Sequence, residues 1–190
     1  MSAFLAYGSR LGIDYLSPPC QGYVCDDAGP SIDALASGDV HDFFSEQPPM
    51  GSVSLLVRAP AAAAAKALGG HDLAVYRAGA FMCLLGVGLL AVWLMAAMAR
   101  AGRPRLAYLV VPAGLLVNPL TYAALDFGHP EELLGAALAA GAVITAGRGR
   151  GVPAGLMLGC AIATKQWAAL AILPAELAAP RGSRVRRLSA

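Results

Sequence analysis

Twenty-two consecutive residues, Ala78 to Ala99, carry no charged side chain, and Arg100, Arg103 and Arg105 follow closely. A helix rises about 1.5 Å per residue, so this stretch is long enough to cross a bilayer core of about 30 Å. It commits the chain to a membrane. Basic residues just beyond a span are retained on the cytoplasmic side, which places everything before Ala78 outside.

The other charges sort the same way. Arg148 with Arg150, and Arg181 with Arg184, Arg186 and Arg187, mark further cytoplasmic segments, whereas Asp14, Asp26, Asp27, Asp33, Asp39, Asp42, Glu46, Asp72, Asp126, Glu131 and Glu132 fall in or beside the opposite loops. The formal net charge of +2 averages two faces of opposite sign and gives no reason to expect a nucleic-acid partner. Charged residues make up 14% of the chain, against about 25% in soluble domains. Abundant alanine and glycine allow membrane helices to approach closely, so a packed bundle is expected rather than isolated anchors. The apolar start, Met1 to Tyr7, is too short for the core of a signal peptide. Either translation begins in a loop, or a first span lies upstream of this reading frame.

The expected fold is all-α: a polytopic transmembrane helical bundle with an extracytoplasmic loop that carries short helices. Residues 1–70 form the acidic outer loop plus an interfacial helix, 71–180 the transmembrane helices, and 181–190 a basic cytoplasmic tail. After the first span, Leu106 to Leu125 returns outward, broken at Pro112 and at Asn118–Pro119, because proline removes a backbone donor. Asp126 to Glu132 makes an outer turn, and Leu133 to Gly147 heads inward. Glu131 and Glu132 at its first turn and Arg148 and Arg150 at its far end complement the helix dipole. From Gly151 the chain could make one long span or a hairpin of two short arms with Lys165 and Gln166 at the outer tip. The hairpin is preferred, since it keeps Arg150 and Arg181 on one side.

In the outer region, Ser31 to Gly38 is expected to be a short helix with Ser31 as N-cap and Gly38 as C-cap. Ser52 to Leu68 carries Arg58, Pro60 and Lys66, charges that suit a helix lying along the headgroups. Cys20 and Cys25 could form a disulfide in an oxidising compartment, while Cys83 and Cys160 are read as small apolar fillers. Trp93 falls toward the inner end of a span, and Trp167 beside Lys165 suits an interfacial belt.

Against this layout, a set of motifs stands out: Cys25-Asp26-Asp27, then Ile32-Asp33 through Gly38-Asp39, then Gln47-Pro48-Pro49-Met50-Gly51. The arrangement resembles the first extracytoplasmic loop of GT-C-type glycosyltransferases. Downstream, Asn118-Pro119, Gly128-His129-Pro130-Glu131-Glu132-Leu133-Leu134 and Gly155 through Gln166 are similar to segments of bacterial mannosyl- and arabinosyltransferase-like members. The resemblance covers most of residues 20 to 176 and corresponds to the N-terminal part of such an enzyme.

What the resemblance implies is sugar transfer from a polyprenyl-phosphate donor to an extracytoplasmic acceptor at the plasma membrane. A hydroxyl acceptor is a weak nucleophile and needs a base; Asp27 or Asp26 is the expected one. The departing lipid phosphate needs fixed positive charge, for which Lys165, His129 and Arg58 are candidates. Asp33 and Glu131 are candidates for contact with the acceptor. No cofactor is assigned; a divalent metal bridging Asp26 and Asp27 is allowed, although no further ligands stand at a recognisable spacing. Expected partners are the lipid-linked sugar, membrane lipid, and a second chain if the bundle is completed in trans. Each residue also has a plainer role. The acidic pair could be a solvated loop feature, Lys165 could snorkel to the headgroups, His129 could hydrogen-bond the helix that follows it, Glu131 and Glu132 could act only on the helix dipole, and Asp33 could face water. The competing functional readings are a transporter fragment or accessory subunit, with Lys165 in a midplane pathway, and an inactive truncated remnant.

Overall fold

The computed structural model describes residues 28–45 and 51–180. Asp26, Asp27, Cys20, Cys25 and the basic tail from Arg181 lie outside the described residues. Regular structure among the described residues is entirely helical: α1 (Gly29–Ala36), α2 (Val40–Ser45), α3 (Ser52–Ala67), α4 (Asp72–Arg100), α5 (Arg105–Leu116), α6 (Pro119–Asp126), α7 (Pro130–Gly147), α8 (Gly151–Ile162), a 3-10 segment (Gln166–Ala171) and α9 (Ile172–Ala178).

Two stretches, Asp72–Arg100 and Arg105–Asp126, are long and apolar enough to cross a membrane. The first is α4, which runs through the uncharged segment and extends beyond it to Asp72. The second comprises α5 and α6. Pro112 lies inside α5 without ending it, and the break falls at Val117–Asn118. The reason is local. The Asn118 amide donates to the carbonyls of Gly114 (2.8 Å) and Leu115 (3.2 Å), the Thr121 hydroxyl donates to Leu115 (2.9 Å), and the Asn118 side-chain oxygen accepts from the Thr121 N–H (3.0 Å). Side chains satisfy the carbonyls that the break releases, which an apolar medium requires; Pro112 brings no comparable donors with it.

α1 starts at Gly29, with Pro30 in its first turn and Ala28 as N-cap, so Ser31 is not the cap: it sits buried within the helix. Ala28, Ile32, Phe43, Leu55 and Ala62 form a small core that joins α1 and α2 to α3. The charges of α3 have separate fates. Lys66 is exposed and pairs with Asp33 of α1 at 2.8 Å. Arg58, expected at the headgroups, is instead fully buried, because an acidic partner on α7 makes its enclosure tolerable.

α4 and α7 pack through Val87, Leu90 and Ala137. At one end of the pair the Arg148 guanidinium lies over the Trp93 ring, 4.5 Å from its centroid. α8 and α9 pack on α7 through Ala146, Ala154 and Ala175. A Cβ on Gly149 would lie 3.6 Å from Pro180, and one on Gly135 would lie 3.6 Å from Lys165 and 3.7 Å from Trp167. The chain after Gly151 therefore climbs α7, turns at Lys165 and returns to its starting end, as two short arms. Leu89, Val92, Leu106, Leu109, Val152, Leu156, Leu173 and Leu177 are exposed, as a bundle set in hydrocarbon requires.

Candidate functional site: a buried carboxylate shared by three basic groups

α6 ends at Asp126, and Gly128 adopts φ +77, a left-handed conformation that glycine enters without steric cost. The next N–H, of His129, then bonds back to the Ala124 carbonyl at 2.7 Å, closing the turn that glycine permits. This sets His129 at the N-cap of α7, with Pro130 as its first residue and Glu131 and Glu132 in the first turn. His129 does not cap through its side chain. Its Nδ1 lies 3.2 Å from Glu131 Oε1.

Glu131 is the hub. It is completely buried, and Lys165 Nζ donates to its Oε1 at 2.9 Å. Its Oε2 accepts no hydrogen bond among the described residues and faces Arg58 Nη1 at 3.7 Å. Arg58 in turn lies over the Tyr76 ring, 5.9 Å from its centroid, and against Gly79, where a Cβ would sit 3.3 Å from the guanidinium Nε. Tyr76 donates its hydroxyl to the Leu125 carbonyl at 2.8 Å. Glu132 adds a second acidic neighbour to Lys165, at 3.3 Å, and accepts the indole N–H of Trp167. Burial lowers the pKa of the Lys165 ammonium, but the hydrogen bond and charge of Glu131, followed by those of Glu132, outweigh it and hold the pKa above the ordinary lysine value.

Lys165 occupies the break between α8 and the 3-10 segment, in extended conformation. That break is tied to the start of α3. The Gly51 N–H donates to the Thr164 carbonyl at 3.1 Å and the Val53 N–H to the Ala163 carbonyl at 3.2 Å. A Cβ at position 51 would lie 1.7 Å from the Ala163 oxygen, so only glycine allows this approach.

Residues 58, 129, 131 and 165, singled out separately in the sequence, thus meet at one end of the bundle. Asp33 does not join them; its carboxylate pairs with Lys66. Glu131, a candidate for contact with the acceptor, is enclosed beneath basic groups rather than presented at the surface. Sequence reasoning missed Tyr76 altogether, and read Glu132 as a helix-dipole residue without its tie to Lys165. Adjacency to Glu131 was the available signal for Glu132, and nothing in the local pattern marks Tyr76. Among the described residues, metal-ligating types group at Asp39, His41 and Asp42, whose ligand atoms lie within 4.8 Å of one another and whose side chains are exposed; Asp39 lies in the α1–α2 connection and His41 and Asp42 in α2, outside this cluster.

Fold and site together define an all-helical membrane protein whose charged centre gathers where helix ends meet, at the start of α7 and the break after α8. A model of Glycosyltransferase family 87 matches residues 48–188, about three quarters of the chain. The chain belongs to that family, a GT-C-type family of membrane glycosyltransferases. Comparison with curated proteins and with solved structures gives no match.

Proposed function

We propose that the chain transfers a sugar from a polyprenyl-phosphate donor to an acceptor hydroxyl on the extracytoplasmic side of the plasma membrane. Asp27, or its neighbour Asp26, takes the acceptor proton as the acceptor oxygen bonds to the sugar's anomeric carbon. The bond from that carbon to the phosphate oxygen breaks, and the lipid phosphate departs with the electron pair, stabilised by Lys165 and His129. Asp33, on the short helix that follows the acidic pair, is positioned in sequence to meet the acceptor.

The observation that carries this reading is the convergence of Lys165 and His129, 36 residues apart, on one carboxylate oxygen at the start of α7. Both keep part of their side chains exposed, 19% for Lys165 and 38% for His129. A lysine ammonium is a compact charge well suited to a phosphate. Ala28, one residue beyond the acidic pair, packs against Leu55 and Ala62 of α3, the helix that also carries Arg58.

The test is a transfer assay in native membranes with radiolabelled polyprenyl-phosphate mannose and polyprenyl-phosphate arabinose as donors. Asp27→Asn or Asp26→Asn is expected to lower the rate by about 10²-fold or more, and Lys165→Gln by a comparable factor. Transfer at the wild-type rate in both aspartate variants would remove the proposed base.

A further inference from the structure

The basic groups around Glu131 differ in what they can reach. Arg58 and Glu131 are both fully enclosed, whereas Lys165 and His129 retain exposed surface. Arg58 is fixed on its far side by the Tyr76 ring and by the space that Gly79 leaves. It faces one oxygen of Glu131, while the other oxygen holds Lys165 and His129. A lysine has three N–H donors; among the described residues Glu131 and Glu132 lie within reach of two, which leaves a third with no partner among them.

We infer that Arg58 and Glu131 are a buried positioning pair that aims the Lys165 ammonium and the His129 ring at the phosphate of a lipid-linked ligand, and that Arg58 itself does not touch that phosphate. The inference rests on the reading of Lys165 as the phosphate-binding group. Arg58 orients the carboxylate, and the carboxylate orients the two groups that meet the ligand. Glu132, held by Trp167, steadies the ammonium from its other side.

A buried ion pair kept only for folding can be exchanged for uncharged residues of similar volume with little loss of stability. A pair that aims a ligand-binding group cannot be exchanged without loss of binding. The experiment compares wild type, Lys165→Gln and the double variant Arg58→Met/Glu131→Gln in phosphatidylcholine nanodiscs. Binding of undecaprenyl phosphate is titrated across pH, and thermal unfolding reports folding. Lys165→Gln is expected to weaken binding at least about tenfold. The double variant is expected to fold and to bind about tenfold more weakly, a loss typical of removing an outer orienting partner. Its alkaline limb should move to lower pH. Among the described residues the charged groups facing Lys165 are Glu131 and Glu132, with His129 beside the shared oxygen, and Glu131 is the chief influence raising the lysine pKa. Its removal leaves burial less opposed, and a lysine that deprotonates earlier releases phosphate earlier.

If Lys165→Gln binds as tightly as wild type, the phosphate reading falls and this inference with it. If Lys165→Gln binds weakly while the folded double variant binds like wild type with an unmoved alkaline limb, the inference alone is overturned. Should the double variant fail to fold, Glu131→Asp keeps the buried charge and withdraws the carboxylate by one methylene. About tenfold weaker binding then supports the pair's positioning role, and wild-type binding overturns it.

Discussion

The Gly51 N–H donates to the Thr164 carbonyl at 3.1 Å, so the first turn of α3 is stitched to the backbone just before Lys165. One contact thereby couples the helix that carries Arg58 to the break that carries the lysine. Gly51→Ala would drive a methyl into the Ala163 carbonyl, where neither backbone can yield cheaply. The expected cost is about 1–3 kcal/mol of stability, together with reduced binding of lipid phosphate. Thermal unfolding in detergent micelles measures the first, and an unchanged melting temperature would contradict the close approach.

The break between α5 and α6 falls at Asn118–Pro119, where the Asn118 side chain bonds the released groups, and not at Pro112. Asn118→Ala removes the N-cap of α6 and strands carbonyls of α5, at an expected cost of about 1–2 kcal/mol. Pro112→Ala, inside α5, should leave stability unchanged or slightly raised, since alanine restores a helical donor. Paired unfolding curves decide the matter; a larger loss at position 112 than at 118 would reverse the assignment.

At the opposite end, Arg148 over Trp93 joins the C-terminus of α7 to α4. A double-mutant cycle with Arg148→Gln and Trp93→Leu should return a coupling of about 0.5–1 kcal/mol. Strict additivity of the two losses would mean that the ring and the guanidinium do not interact in the membrane.

Sidedness is open to direct labelling. Single cysteines at positions 27, 129 and 165 should react with a membrane-impermeant maleimide in intact cells, whereas those at 103 and 149 should react only after permeabilisation. Protection of position 27 together with 165, against labelling of 103, would invert the orientation and end the proposed chemistry.

Most of the helical layout was legible because a bilayer penalises unpaired charge and backbone, leaving sharp boundaries in the sequence. α4 ends at Arg100, just past the uncharged run, although it begins at Asp72 and carries Arg77 inside it, six residues ahead of the expected start at Ala78; the two-armed return after Gly151 followed from the arginines on either side of Lys165. The origin of α1 was misread because Ser31 is a common cap residue, whereas Pro30 can begin a helix without a donor and moved the start upstream. The meeting of Arg58 with Glu131 was hidden for a different reason. Hydropathy treats a lone arginine on an alanine-rich helix as an interfacial charge, and a partner 73 residues away, which favours enclosure, is invisible to it. Pairings between distant charges leave no local periodic trace.

α8 has twelve residues and so climbs only about 18 Å before the chain breaks at Lys165. Measured from the arginine side, the ammonium halts well within one bilayer thickness. A ligand tethered to a long hydrocarbon tail would meet it by drifting sideways in the sheet of lipid, without lifting out into water. On the proposed reading, capture would be a search in two dimensions, governed by how densely that lipid populates the leaflet.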